Sequence, residues 1–370
     1  MVKVCHIVSG DLWAGAEVLV FQLLKGLAGC PDIVPSAIIL NEGRLAAEIR
    51  SLGIPIRVID ERVNSFHRIL REAKEWLRSD PPDCLHAHRY KENLLAWLLN
   101  RGMKGLKLFA TQHGMPEILG DKSGIKHRLI TQSNLRLIRG FYRVVCVSRD
   151  IREMFLWKYG FPEESTCTIP NGVELPVPDQ RGNRRKAGDL FLIGSSGRFF
   201  PVKDYPLFVR IAKEVKSRGA PIRFELAGDG PGTEEVEKLI REFDLGNTVF
   251  LKGCLHEMSV FYRNLDLYLN TSIHEGIPMS VLEAMSYGLP VIAPNVGGIK
   301  EIIDEGIQGH LIDGRDPKKY AAKCVSLFED RETLHGMAVA ARAKVEREFS
   351  IERIVRDYRN LYLNTVVNHA

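Results

Sequence analysis

Two carboxylates eight residues apart open the chemistry of this chain, in the segment Thr271-Ser272-Ile273-His274-Glu275-Gly276-Ile277-Pro278-Met279-Ser280-Val281-Leu282-Glu283. Pro278 suits the first turn of a helix and Gly288 suits its end. Glu275 then falls in the loop before that helix, and Glu283 lies about a turn and a half into it. The free N–H groups around Gly276–Ser280 face out of the helix N-terminus, where a phosphate binds favourably. Carboxylates beside such an anion site suit sugar or ribose hydroxyls and not the phosphate itself. The plain alternative is a loop charge and a helix-surface charge, which is where glutamates usually sit.

Gly197-Arg198-Phe199-Phe200-Pro201-Val202-Lys203-Asp204 follows a strand-like run. There an arginine fork and a lysine point charge can neutralise a diphosphate. A surface pair would be the simpler reading of these two alone, but both segments fall at strand ends of one sheet. Gly10-Asp11-Leu12-Trp13-Ala14-Gly15-Ala16-Glu17 looks like a loop that approaches phosphate, yet it lacks Gly-x-Gly-x-x-Gly. Gly228-Asp229-Gly230-Pro231-Gly232 reads equally as a tight strand-to-helix turn or a ligand contact. His113 closes a strand in Thr111-Gln112-His113-Gly114, where a lone histidine is structural more often than catalytic. His86-Ala87-His88 resembles a metal pair, but no third ligand stands at motif spacing. The chain also has no Asp-x-Asp pair to hold Mg²⁺ or Mn²⁺.

These residues need elements to hold them. Short β-branched runs alternate with amphipathic stretches, the pattern of βαβ units and parallel sheets. Expected strands are Lys3–Val8, Ser36–Leu40, Ile56–Ile59, Cys84–His86, Lys107–Thr111, Val144–Val147 and Thr168–Ile169. A second set follows at Phe191–Ser195, Arg223–Ala227, Val249–Lys252, Leu267–Asn270, Val291–Ala293 and His310–Ile312. Between the two sets the rhythm breaks, with Pro176, Pro178, Gly182 and Gly188 among charges, so residues 174–189 read as a linker. The chain therefore divides into a domain over 1–173, the linker, a domain over 190–348, and a terminal helix over 349–370. Ile354, Tyr358, Leu361 and Tyr362 fall roughly along one face of that helix.

With 370 residues, 26% charged and 45% hydrophobic, the chain has material for two cores and is neither disordered nor collagen-like. No apolar run reaches the ~18 residues of a membrane span, and the N-terminus enters a strand without a cleavage signal. Seven cysteines leave one over in any pairing and form no Cys-x-x-Cys, which fits free thiols in a reducing cytoplasm. A net charge of +5 is too mild to argue for nucleic acid. Its distribution is uneven: Lys122 to Arg143 holds six basic residues and no acidic one. That segment reads as a contact for anionic lipid or a phosphorylated, lipid-linked acceptor, or else as a core helix with a solvated basic face. Arg62, His67, Arg68 and Arg71 could extend the same surface.

Taken in order, the loop before Glu17, Pro170-Asn171-Gly172-Val173, Gly197-Arg198 with Lys203, Phe250-Leu251-Lys252-Gly253, Glu275-x7-Glu283 and Gly288-Leu289-Pro290-Val291 resemble family four of the retaining glycosyltransferases. The likeness runs from about residue 3 to 350. It implies an α/β GT-B fold: two Rossmann-like doubly wound parallel-sheet domains facing a cleft, with the C-terminal helix crossing back to the first. The acceptor would sit on the first domain and the nucleotide sugar on the second. By the same resemblance Arg198 and Lys203 bind the donor diphosphate, Glu283 the ribose hydroxyls and Glu275 the donor sugar. Backbone groups of Gly276, Ile277 and Met279 lie nearby, Gly15 lets its loop approach phosphate or sugar, and His113 lines the pocket near the sugar. Ala14 departs from the family, which often has glycine there.

The implied chemistry is transfer of a hexosyl or related sugar from a nucleotide-diphosphate sugar, commonly a UDP-sugar, with retention and without metal or other cofactor. Arg198, Lys203 and the helix N-terminus would stabilise the departing diphosphate. The acceptor would be a glycan or lipid-linked molecule of cell-surface polysaccharide or lipopolysaccharide synthesis, reached from the cytoplasm or its membrane face. Two other classes share the architecture: a nucleotide-sugar 2-epimerase and a non-catalytic nucleotide-sugar-binding protein.

Overall fold

The computed structural model describes residues 1–103, 105–114, 125–177 and 190–367, the side chains of 125–127 and 366–367 excepted. The chain divides into two compact units, Met1–Gly172 with Ile351–Ala370, and Val173–Ser350.

The first unit runs β1 (Val2–Val8), α1 (Gly15–Ala28), β2 (Ile33–Ile39), α2 (Arg44–Ser51), β3 (Ile56–Val58), α3 (Phe66–Ser79), β4 (Cys84–Ala87) and α4 (Tyr90–Arg101). It continues with β5 (Lys107–Gln112), α5 (Ile125–Ile138), β6 (Arg143–Cys146), α6 (Arg149–Glu153), a π-helical turn over Met154–Lys158 and β7 (Thr166–Thr168). Among the described residues the strands form a parallel sheet in the order β3-β2-β1-β4-β5-β6-β7. Its centre is buried on both faces: every residue of β1 but Lys3 is buried, as the near-continuous run Val-Lys-Val-Cys-His-Ile-Val requires. The strand order reverses between β1 and β4, so ligand binding is expected outside the carboxyl ends of those two.

The second unit runs β8 (Phe191–Ser196), α7 (Tyr205–Ser217), β9 (Ile222–Ala227), α8 (Thr233–Glu242), β10 (Val249–Gly253), α9 (Met258–Arg263), β11 (Leu267–Leu269) and α10 (Met279–Ser286). After these come β12 (Val291–Pro294), α11 (Ile299–Ile302), β13 (Gly309–Ile312), α12 (Pro317–Glu329) and α13 (Arg331–Glu348). Its described strands are again parallel, in the order β10-β9-β8-β11-β12-β13, with the reversal between β8 and β11. The loops that follow those two strands carry Lys203 and Glu275.

The expected linker is only partly a connector. Residues 178–189 lie outside the described residues. Val173 instead bridges Ser350 and donates its N–H to the Phe349 carbonyl at 2.9 Å. Arg342 Nη2 donates to the Pro176 carbonyl at 3.0 Å. Extended backbone rich in proline thus finds partners at the end of α13 and is fixed to the second unit.

The terminal helix α14 (Ile351–Val367) belongs to the first unit. Ile354, Tyr358 and Tyr362 are buried on one face, while Leu361 is half-buried. Each fully buried apolar side chain contributes roughly 1.5–3 kcal/mol. The helix approaches α1 so closely that a Cβ on Gly26 would stand 2.3 Å from Val355 Cγ2. Arg359 Nε adds a 2.8 Å bond to Asp32.

Candidate active site

In the second unit the loops after β8 and β11 are stitched together. Thr271 Oγ1 donates to the Lys203 carbonyl at 2.9 Å, and Ile273 N–H to the Val202 carbonyl at 2.7 Å. Arg315 clamps both loops, reaching the Asp204 carboxylate, the Thr271 carbonyl at 2.5 Å and the Ser272 carbonyl at 2.9 Å. Asp204 sits at φ 44 and caps α7, its side chain accepting from Leu207 N–H at 3.3 Å.

This stitching joins two residues 72 positions apart. Lys203 Nζ donates to Glu275 Oε1 at 2.5 Å, and Ser272 Oγ donates to the same oxygen at 2.6 Å. Burial works against the Lys203 charge, but the Glu275 carboxylate outweighs it and holds the amine above its ordinary value. Arg198 remains exposed, its guanidinium 4.7 Å from the Phe200 ring centre and without a carboxylate partner among the described residues. The turn at Gly228 braces that loop: Phe199 N–H donates to the Asp229 carbonyl at 2.9 Å and Gly232 N–H to the Phe199 carbonyl at 2.8 Å. A Cβ on Gly228 would stand 1.9 Å from the Gly197 carbonyl oxygen, so the turn is a structural support of the Arg198 loop.

Glu283 lies on α10 and is no surface charge. It is half-buried and accepts from the Tyr262 hydroxyl at 2.7 Å. Burial raises its carboxyl above the ordinary value, and the Tyr262 bond only partly offsets this. Met279 opens α10, behind a buried Gly276-Ile277-Pro278. The carbonyl of Glu275 is gripped from behind, by Gly298 N–H at 3.1 Å and by the bare Cα of Gly297.

In the first unit the ends of β1 and β4 gather an acidic and basic cluster that the sequence did not reveal. Arg89 Nη2 donates to Glu17 Oε1 at 2.5 Å, and Arg89 Nη1 to Asp11 at 3.4 Å. Ser9 Oγ donates to Glu92 Oε1 at 2.5 Å. Glu17 and Glu92 each keep a buried second oxygen with no partner among the described residues. Burial raises both carboxyls. Gly15 is exposed at the first turn of α1, beside this cluster in sequence.

His113 ends a line of hydrogen bonds. Its Nε2 meets His88 Nδ1 at 3.1 Å, His88 Nε2 meets His6 Nδ1 at 3.0 Å, and His6 Nε2 meets the Tyr362 hydroxyl at 3.3 Å. Tyr362 also meets His86 Nδ1 at 2.6 Å, His86 Nε2 meets Thr111 Oγ1 at 2.7 Å, and Thr111 meets the Tyr358 hydroxyl at 3.2 Å. Register builds the line. His6 pairs with His86 across β1 and β4, His88 lies two residues on along the same face, and α14 lays its tyrosines over them. Burial lowers His6 and His113 to about 3 and pushes His86 and His88 well below the ordinary value. All four are therefore neutral imidazoles at neutral pH. His86-Ala87-His88 is thus a pair of hydrogen-bond relays, a role that sequence reasoning missed; its signals are the alternate spacing of the histidines and the tyrosines four apart on the last helix.

The basic segment is only partly free. Residues 122–124 and the side chain of Lys126 lie outside the described residues. Arg139 donates to the carbonyls of Tyr159 and Gly160, and Arg143 to that of Glu164, so both serve the chain's own backbone. Arg128 and Arg136 stay exposed beside Leu129, which is 57% exposed, while Ile138 and Phe141 are core. The expected extension is largely neutralised, with Arg62 on Asp60 and Arg68 on Glu72.

The match to known proteins follows the two units. The family described as Glycosyltransferase Family 4 matches residues 13–176, and that described as Glycosyl transferases group 1 matches residues 177–344. The chain is 27% identical over 211 residues to the putative colanic acid biosynthesis glycosyltransferase WcaL of Salmonella typhimurium, covering 55% of this chain and 52% of that protein. It is 22% identical to the UDP-Gal:alpha-D-GlcNAc-diphosphoundecaprenol alpha-1,3-galactosyltransferase of Escherichia coli, over 99% of this chain and 98% of that one. Among solved structures, Anabaena Alr3699/HepE in complex with UDP superposes with a TM-score of 0.81 at 19% identity, covering 98% of this chain and all of that one. With two family matches that together span residues 13–344, on two Rossmann-like parallel sheets, the chain belongs to the family-four glycosyltransferases of GT-B fold.

Proposed function

We propose that this chain is a retaining glycosyltransferase that moves a hexosyl residue from a UDP-sugar to a glycan or lipid-linked acceptor, without a metal ion. The observation that carries the reading is the Lys203–Glu275 pair beside Arg198, which has no carboxylate partner among the described residues. An ion pair held at 2.5 Å with Ser272 as third member keeps both groups placed before substrate arrives. A donor diphosphate competes for Lys203 with more charge than one carboxylate offers, and Arg198 joins it. Glu275, still held by Ser272, then turns its freed lone pairs to sugar hydroxyls. As the glycosidic bond breaks, negative charge grows on the leaving oxygen, where two fixed cations stabilise it without reorganising. In this reading Glu283 and Tyr262 hold the ribose, Gly276, Ile277 and Met279 offer backbone groups at the start of α10, and Gly15 and His113 act from the first unit.

Retention is assigned to front-face attack, with the leaving phosphate taking the acceptor proton. Double displacement would need a nucleophilic carboxylate on the opposite sugar face, and in this reading Glu275 is held by Ser272 and engaged with sugar hydroxyls. The UDP donor and a lipid-linked acceptor are supported by what the E. coli relative's name states and by the UDP in HepE. Among the described residues no helix is long and apolar enough to cross a membrane. Contact with an anionic membrane, from its cytoplasmic face, would rest on Arg128, Arg136 and Leu129. Such a role belongs to cell-surface polysaccharide or lipopolysaccharide synthesis.

The test is nucleoside diphosphate release from a panel of UDP-, GDP- and ADP-sugars in EDTA, with and without a detergent extract of lipid-linked glycans. Release that requires one UDP-sugar and the extract, persists in EDTA and falls at least about 100-fold in Lys203→Ala and Glu275→Ala supports the proposal. Conversion of the donor to an isomeric nucleotide sugar without the extract would make the chain an epimerase. Donor binding without turnover, in the presence of an extract shown active with another transferase, would make it a sensor.

A further inference from the structure

The line of seven side chains that ends at His113 has two different ends, and this fixes the direction of its protons. A neutral imidazole carries one N–H, so each histidine can donate at only one nitrogen. Each join in the line is Nδ1 to Nε2 or runs through a hydroxyl. A change of direction at Tyr362 would leave either its hydroxyl hydrogen or one imidazole nitrogen unmet, so a line paired at every join has all four histidines carrying hydrogen on Nδ1 or all on Nε2.

The two arrangements are not equal. With hydrogen on every Nδ1, Tyr358 donates to Thr111, Thr111 to His86, His86 to Tyr362, Tyr362 to His6, His6 to His88, and His88 to His113. Only one group is then left over, the Nδ1–H of His113, a buried atom with no partner among the described residues. With hydrogen on every Nε2 the direction reverses and two groups are orphaned. The Tyr358 hydroxyl hydrogen has no acceptor, since Thr111 is that oxygen's only partner among the described residues, and His113 Nδ1 is a bare lone pair. A buried unsatisfied donor is costly, and the first arrangement leaves one unmet group, at the His113 end of the line, where the second leaves two.

We propose that Tyr358 at the far end sets this line so that His113 meets its ligand as an N–H donor at Nδ1. Its partner is an oxygen of the donor sugar, which rests on the placement of His113 under the proposed function. His113 is then an orienting donor and no general base, because the Nδ1 lone pair a base would need is occupied by hydrogen. Tyr358, Tyr362 and Thr111 are positioning residues, acting on the sugar through three other histidines.

The experiment is the histidine tautomer map of the full chain by long-range ¹H–¹⁵N correlation, at neutral pH with and without UDP-glucose. All four histidines of the line protonated at Nδ1 is the expected result; His113 protonated at Nε2, or a mixture of tautomers among the four, overturns the proposal. Tyr358→Phe removes the hydrogen that sets direction while leaving the other joins, and Tyr362→Phe cuts the line. Both should move His113 to mixed tautomers and raise KM for the donor about five- to tenfold with a smaller change in kcat. A lower Tm with the His113 tautomer unchanged would show the tyrosines to be packing groups only, against the proposal. If the tautomers are as expected but His113→Ala leaves KM and kcat unaltered, the line stands and the placement of His113 on the sugar is what fails.

Discussion

At the residue scale, the decisive feature is how burial divides labour among the ionisable groups. Glu275 and Lys203 share their charges, whereas Glu283 is shielded and has one neutral partner, the Tyr262 hydroxyl. Glu283→Gln keeps the size of the side chain and loses an acceptor that can take two hydroxyls. Its expected signature is a rise of about tenfold in KM for the nucleotide sugar with a minor change in kcat. An equal fall in kcat and kcat/KM would instead put Glu283 at the transition state. The buried histidines give a separate prediction. His6 and His113 titrate at about 3 in the folded chain but near 6.5 when unfolded. Between those values the unfolded state binds more protons, so stability is complete above pH ~6.5 and falls as pH drops towards 3. Calorimetry from pH 7 to 4.5 should show Tm falling several degrees, at about 2–4 °C per kcal/mol. A flat Tm over that range would mean these imidazoles are not held neutral by burial.

At the scale of elements, loops at two strand ends do the positioning, and their backbone tolerances are narrow. Gly297 has φ +50, and a Cβ there would stand 2.1 Å from the Glu275 carbonyl oxygen. Gly297→Ala is expected to cost about 1–3 kcal/mol and, by displacing Glu275, to lower turnover at least about tenfold. Retained turnover with a lowered Tm would separate the loop's fold from its chemistry. Much of this level was legible beforehand. The β-branched runs marked the strands to within a few residues because central parallel strands must be apolar on both faces, and Pro278 and Gly288 bracketed α10. The loop place of Glu275 and the helix place of Glu283 were readable from spacing. Their partners were not, because Lys203 reaches Glu275 across 72 positions, and sequence patterns report on neighbours along the chain. The histidine line escaped for the same reason: alternate residues of three strands and one helix compose it, and no one segment shows more than a pair. The stretch before Pro178 reads as a linker, and its backbone partners were not legible, because proline and charge look alike in a linker and in an extended segment that has found such partners.

At the scale of the whole molecule, the chain begins in the first unit, builds all of the second, and returns to finish the first. The last helix is therefore an integral part of the first unit's core. Ending the chain after Ser350 would uncover the α1 face around Gly26, strip Tyr362 from His6 and His86, and strip Tyr358 from Thr111. Differential scanning fluorimetry should show the melting transition of Met1–Gly172 lowered or lost in such a truncation, with that of Val173–Ser350 retained. Loss of both transitions would mean that the second unit cannot stand without the first. The same threading sets an order in time. On the ribosome the first unit waits, short of one helix, while the second emerges and can fold completely, inverting the usual rule that the amino-terminal half is finished first. The relay that presents His113 is closed only when Tyr358 and Tyr362 leave the exit tunnel, after the whole of the second unit, and a chain broken off before them never forms it.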